Sequence, residues 1–269
     1  MGQNYPGGFF NPPAVGFGGG SGPLPLLNGL TADQAALLSQ YDPKQIIDGS
    51  LYDTKYAKAG TAVNQNDVIF FAQQVAQTDT VINDSTVSFV KTKMDTNMTQ
   101  SGQLERGTTM IVTSLQAQVS IPNNLDSTLQ GSGNTTLPAV TGTAVGATTT
   151  TAGVLAGGLW KAITSSGYLE LVVGPNRFEN GTIDQFPCEF GASGFNAAVE
   201  SGTVVATNIP VIDGVVNNGF GFARQFLIPR TILPGQNFSV KLNFYNLFTP
   251  SRAFNIKVLL RGLILRDIA

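Results

Sequence analysis

Histidine is absent from this chain, and cysteine and tryptophan occur once each, as Cys188 and Trp160. Without histidine there is no Ser-His-Asp or Cys-His nucleophilic arrangement and no Cys/His zinc set. One cysteine excludes a disulfide within the chain. Cys188 lies among aromatics in QFPCEFG, with no imidazole to activate it, so it reads as a small buried hydrophobe and not as a nucleophile. A single Trp leaves little for sugars to stack on, which weighs against a glycosidase built on paired carboxylates. Charge is also scarce: Asp, Glu, Lys and Arg make up 12% of the residues, about half the usual share. The net charge is −2, with no basic block, so direct nucleic-acid binding through a phosphate-neutralising patch is not expected. No apolar run reaches the about 18 residues that a membrane-spanning helix needs. The start lacks the basic and apolar regions of a secretory signal.

What is present is β pattern. Across 269 residues, 42% are hydrophobic, with Gly 31 and Pro 14, enough for a substantial core and many turns. The polar surface has to come from Asn, Gln, Ser and Thr. So few charges protect a lone monomer poorly against association, whereas a chain packed against copies of itself has less need of that protection.

The C-terminal stretch carries the clearest signal. Phe238, Val240, Leu242 and Phe244 alternate with Ser239, Lys241 and Asn243, and Phe254, Ile256, Val258 and Leu260 alternate with Asn255 and Lys257. This period of two predicts two half-buried strands, with Thr249-Pro250-Ser251 as the turn between them. Past Gly262 the apolar set moves to Leu263 and Leu265, so a bulge or sharp bend is expected at that glycine.

Residues 1–32 contain Tyr5, Phe9, Phe10 and Phe17 among Gly and Pro, with no charged side chain. Disordered tails are usually charged and poor in aromatics, so this segment reads as an extended arm that orders on a neighbouring subunit or a lipid headgroup layer. Plain disorder is the other reading. Thr31-Ala32-Asp33-Gln34 is a capping-box pattern, and it predicts a short helix ended by Tyr41-Asp42-Pro43 that plugs the base or flank of the domain. A weak turn is expected over Lys44–Ile47, then a polar connection.

Asp67–Gln77 reads as a strand, with Val87–Met94 as its partner and Met94–Gly107 as a polar connector. The run TTMIVTSLQAQVSIP places Ile111, Leu115, Ala117, Val119 and Ile121 on one parity of a long strand. Residues 122–158 are nearly all small, with Asp126 the only charge, and read as a long insertion on an outer surface or at a subunit contact, or as a flexible loop. Beyond LWKAI, Gly167–Gly174 alternates with Leu169, Leu171 and Val173 inward. PNRFENG reads as a turn, and Gly202–Ile212 as a strand. Pro229 and Pro234 confine their segment to a strand end or a sheet edge. About nine or ten strands and one helix are expected, in an all-β antiparallel sandwich of jelly-roll type.

The remaining candidates for chemistry are weak. GFGGGSGP, residues 16–23, matches a phosphate loop only in composition, because it follows no strand and lacks the Gly-Lys-Ser/Thr ending. Asp184 with Glu189, or Asp79 with Asp84, could hold a structural Ca²⁺, although solvated carboxylates are the simpler reading. Asn83, Asn97, Asn134, Asn180 and Asn237 begin Asn-x-Ser/Thr triplets, which chance produces easily in so Asn-, Ser- and Thr-rich a chain. No catalytic, cofactor-binding or metal-ligating set is assigned, and no enzyme is expected.

Four features together resemble the upright jelly-roll major capsid proteins of icosahedral viruses with an internal membrane, the corticovirus, tectivirus and sphaerolipovirus group. They are the uncharged arm and helix over 1–47; DVIFFAQQV followed by DTNMTQSGQLERGTTMIVTSLQAQV; IPRTILPGQNFSVKLNF; and the closing KVLLRGLILRDIA. The resemblance covers most of 67–121 and 167–269. It implies a shell subunit localised to the virion, forming trimers or pseudo-hexagonal capsomers. Its partners would be copies of itself and other capsid or penton proteins, with the arm reaching neighbours or the internal membrane. The residue patterns favour an arm over 1–30, a helix and connection over 31–50, and a single jelly roll over 51–269 interrupted at 122–158, whereas the resemblance leans toward two barrels. Two barrels, about 55–160 and 161–269, are the other division, but they need about sixteen strands. A receptor- or carbohydrate-binding sandwich of spike or adhesin type is the alternative function.

Overall fold

The structure is a computed structural model, and it describes residues 30–63, 67–120, 156–188, 196–199, 211–214, 224–250 and 253–267. The expected arm, the phosphate-like GFGGGSGP run and nearly all of the 122–158 insertion lie outside these residues, as do Gly202–Pro210 of one expected strand.

The described residues form two helices and twelve strands: α1 (Ala32–Leu38), β1 (Ile46–Ala57), β2 (Val68–Phe70), β3 (Thr78–Val81), β4 (Asp84–Val90), β5 (Thr108–Ser120), α2 (Ala156–Ser166), β6 (Gly167–Val173), β7 (Asn176–Thr182), β8 (Asn196–Val199), β9 (Val211–Gly214), β10 (Gln225–Ile232), β11 (Phe238–Phe244) and β12 (Phe254–Arg266). Short 3₁₀ turns occupy Pro43–Gln45 and Ile183–Gln185. The larger strands make two four-stranded sheets, in the orders β1-β12-β5-β10 and β2-β11-β6-β7, and β3-β4 and β8-β9 are separate hairpins. All strand pairs are antiparallel. The chain is thus mostly antiparallel β-sheet, as its alternation predicts.

The two sheets share one core. Leu51, Leu115, Phe254, Ile256, Val258 and Leu260 of the first sheet and Phe70, Leu169, Leu171, Val240 and Leu242 of the second belong to a single buried cluster. β11 and β12 do not form the expected hairpin. They lie in opposite sheets, with Phe248 of their connection packed between Phe244 and Phe254 at ring distances of 5.7 and 6.2 Å. Each strand presents its even-numbered apolar row to the shared core.

At Gly262 the expected irregularity is present, but its origin differs. The register runs Arg261 opposite Ser114 and then Gly262 opposite Val112, so the extra residue, Thr113, is on β5. A Cβ on Gly262 would overlap the Ile111 carbonyl oxygen, so glycine is what lets the bulged backbone approach. The inward row of β12 does not change parity, since Ile264 still packs against the main core. Leu263 and Leu265 are apolar because the outer face there is also covered: Leu38 of α1 packs on Ile111 and Leu265, with Leu37, Tyr41 and Leu263 around them. For the same reason Ile111 does not share a face with Leu115 and Ala117, since Thr113 separates them.

The helix sits on the flank of the first sheet. The capping box is complete, with Gln34 N–H donating to Thr31 Oγ1 at 3.3 Å and Thr31 N–H donating to Gln34 Oε1 at 3.0 Å. Gln34 Nε2 also donates to the Pro229 carbonyl at 2.8 Å, which ties α1 to edge strand β10.

Several elements differ from expectation. β1 replaces the polar connection. The run 67–77 forms a strand only over Val68–Phe70, and Val87–Val90 pairs with β3, not with that run. PNRFENG turns only at its start and then runs as β7, while Ala156–Ser166 is a second helix that carries Leu159 and Ile163 into the core.

Candidate functional site

The unusual chemistry of this molecule is buried beneath the β3–β4 hairpin. The row of β1 that includes Leu51 and Ala57 continues through Asp53 and Lys55, which puts two charges at core-parity positions. Lys91 follows β4, and its backbone is fixed by hydrogen bonds to the Gln77 carbonyl at 2.9 Å and from the Ala76 amide at 2.8 Å. The side chains of Lys91 and Asp53 are both 0% exposed, and that of Asp79 is 5% exposed.

Lys91 Nζ lies 2.5 Å from Asp53 Oδ1 and 3.0 Å from Asp79 Oδ2, and donates to the Thr54 carbonyl at 2.8 Å. Lys55 Nζ meets Asp79 Oδ1 at 2.5 Å. Two lysines and two aspartates therefore balance in a site closed to water, which is the condition for tolerating buried ions. Asp53 is held further by backbone donors: the Phe71 amide reaches Oδ2 at 2.6 Å and the Thr54 amide reaches Oδ1 at 3.1 Å. Phe71 has φ 66°, an uncommon conformation for a bulky residue. Burial pushes the Asp53 carboxyl up from its ordinary range, against the opposing pull of Lys91. Asp79 Oδ2 makes no hydrogen bond of good geometry, and its contact with Lys91 is an ion pair only.

A second set of polar contacts closes the free edge of β1. Tyr52 N–H donates to Asn97 Oδ1 at 2.9 Å, Asn97 Nδ2 donates to the Ser50 carbonyl at 2.8 Å, and Thr96 Oγ1 donates to the Tyr52 carbonyl at 3.1 Å. Covering an edge strand in this way removes a template for unwanted pairing. Tyr56 donates its hydroxyl to Asp95 Oδ1 at 2.5 Å. Burial first, and Asp95 second, hold this phenol well above its ordinary range. Its folded pKa exceeds the unfolded value of about 10, so the unfolded chain loses the proton first and stability falls as pH rises through about 10. Melting temperature should therefore hold up to about pH 10 and fall progressively above it, and fall less steeply in Tyr56→Phe.

The residues singled out from sequence are dispersed. Asp79 belongs to the buried cluster, whereas Asp84 pairs with Lys58 at 3.1 Å and accepts from Thr86, which holds its carboxyl below the usual range. These two aspartates each face a lysine and do not converge on a cation site. Asp184 accepts from Thr182, and Glu189 lies outside the described residues. Among the described residues no cluster of three or more His, Cys, Asp or Glu could hold a metal. Cys188 is buried. Asn83 bonds to both the amide and the carbonyl of Lys58, and Asn97 clasps β1, so both have structural partners. Asn237 pairs with Gln103 and Asn180 lies in β7; Asn134 is outside the described residues. On the outer face of the first sheet a recess of about 250 Å³ is lined by Asp48, Ser50, Gln116 and Arg261, smaller than the roughly 300–1,000 Å³ of most ligand pockets.

Sequence reasoning missed Asp53, Lys55 and Lys91. The available signal was a lysine and an aspartate two apart inside a period-two run, Leu51, Asp53, Lys55, Ala57, which only a partner charge across the core could stabilise. Comparison of the chain with protein-family models, curated proteins and solved structures found no match.

Proposed function

We propose that this chain is a structural shell subunit, the major capsid protein of an icosahedral virus with an internal membrane. In this reading it self-assembles through trimers or pseudo-hexagonal capsomers and is localised to the virion. The observation that carries the reading is the nesting of the strand pairs: β1 with β12, β2 with β11, β5 with β10, and β6 with β7. Such nesting is what one antiparallel ribbon folded over on itself would give, and it supports reading the sandwich as an eight-stranded jelly roll with two Greek keys. The β3–β4 hairpin, the segment before α2 and the β8–β9 hairpin are then insertions in that ribbon. Both sheets combine strands from before residue 160 with strands from after residue 161, and in the first sheet the two kinds alternate, which favours a single roll over two successive barrels.

The surface supports association. Leu227 is 92% exposed and Leu247 74%, with Met94, Tyr245, Ile228 and Leu233 also exposed, in a chain with few charges to keep copies apart. Electron micrographs of the concentrated full chain should show rings, hexagonal sheets or closed shells. Only dispersed single domains, under conditions that preserve virions, would reverse the proposal. The spike or adhesin reading keeps one point in its favour: Tyr245, 70% exposed, sits edge-on to Tyr168 at 5.7 Å. Binding of the chain on a glycan array, lost in Tyr245→Ala, would move the assignment there.

A further inference from the structure

We propose that Lys91 and Asp53 join in an intramolecular isopeptide bond that the folded chain forms by itself, with Asp79 as the proton carrier. The inference stands on the buried cluster and goes beyond the shell reading.

Amide formation from an amine and a carboxylic acid needs both groups in contact, both in neutral form, a group to move protons, and donors for the oxygen on which charge develops. The site supplies the contact, the proton-moving group and the donors, and its burial favours the acid form of Asp53. Lys91 Nζ touches Asp53 Oδ1 at 2.5 Å, and both side chains are fully buried. Burial pushes the Asp53 carboxyl up, toward the acid form that attack requires. Asp79 Oδ2 lies 3.0 Å from the same nitrogen and has no other partner, while Lys55 fixes its Oδ1. The amides of Phe71 and Thr54 are aimed at the two oxygens of Asp53, and Phe71 adopts its φ of 66° in doing so.

The step balances without any oxidant or co-reactant. The Lys91 amine attacks Cγ of protonated Asp53. The carbon–nitrogen bond forms, and the carbonyl electron pair moves onto Oδ2, where the Phe71 N–H holds it. Asp79 takes a proton from the nitrogen and delivers it to Oδ1. The carbon–oxygen bond breaks, water leaves, and Asp79 returns to its starting state. The product ties β1 to the end of β4, covalently fastening the hairpin over the sheet edge, a useful property in a part that bears load.

The test is the intact mass of the purified full chain together with a peptide map. The expected result is a mass one water below that of the sequence, and a branched peptide in which Lys91 resists trypsin and carries the Asp53 peptide. In Asp53→Asn the departing group becomes ammonia, so the deficit against that variant's own sequence should change from water to ammonia. In Asp79→Asn the full mass should return with an unchanged circular dichroism spectrum. A wild-type chain at full mass with a linear Lys91 peptide overturns the proposal, as does a water deficit that persists in Asp53→Asn.

Discussion

Replacing Lys91 with methionine should destabilise the domain by about 3–5 kcal/mol, the usual cost of stranding a buried charge. The size follows from the surroundings, since Asp53 is fully buried and Asp79 nearly so. Without Lys91 the cluster keeps two carboxylates against the single ammonium of Lys55. The double variant Lys91→Met with Asp53→Asn should recover the part of that loss that comes from the unpaired charge, and not the part that comes from the missing Lys91–Asp53 tie. Asparagine keeps an oxygen for the Phe71 amide while removing the unpaired charge, at the cost of the longer contact from the Thr54 amide. Urea unfolding midpoints, compared at constant slope, measure both. Equal losses in the single and double variants would mean that the covalent tie or the packing, and not charge balance, accounts for the loss.

Gly262→Val is the second large effect, on the order of 3 kcal/mol or more. Any Cβ at 262 would run into the Ile111 carbonyl and come within 2.9 Å of Val112 Cα. Both are backbone atoms of a strand held on two sides, so neither can give way cheaply. Gly60→Val is the control. It has positive φ, at 74°, which Gly262 does not, and nothing lies within 4 Å of its added Cβ, so only the local conformational cost of about 1–2 kcal/mol applies. Thermal unfolding separates the two, and a loss at 262 no larger than that at 60 would show that the β5 backbone yields to the added side chain at little cost.

Strands whose inward row is wholly apolar were legible in the sequence. β6, β11 and β12 alternate cleanly because one face meets the core and the other meets water or a neighbour. The capping box marked α1 for the same kind of reason: Thr31 and Gln34 have few other uses at that spacing. β1 was not legible because its inward row contains Asp53 and Lys55, whose partners Lys91 and Asp79 lie 38 and 24 residues away along the chain. The long strand read over 67–77 fails after Phe70 because the Phe71 amide bonds to Asp53 and not to a neighbouring strand. β7 is an edge strand whose Asn, Arg and Glu are mostly in solvent, so it offers little alternation. The outward apolar positions Leu263 and Leu265 looked like an exchange of faces, when they mark a strand covered on both sides. The buried cluster was illegible for the same reason as β1: no local pattern reports a charge neutralised from across the fold.

The shell reading is tested most directly by sedimentation of the purified full chain beside a form lacking residues 1–30. It predicts a trimer or larger ring in both forms, with shells built only when the arm is present. A monomer in both forms at micromolar concentration contradicts it and transfers the weight to the binding-module reading.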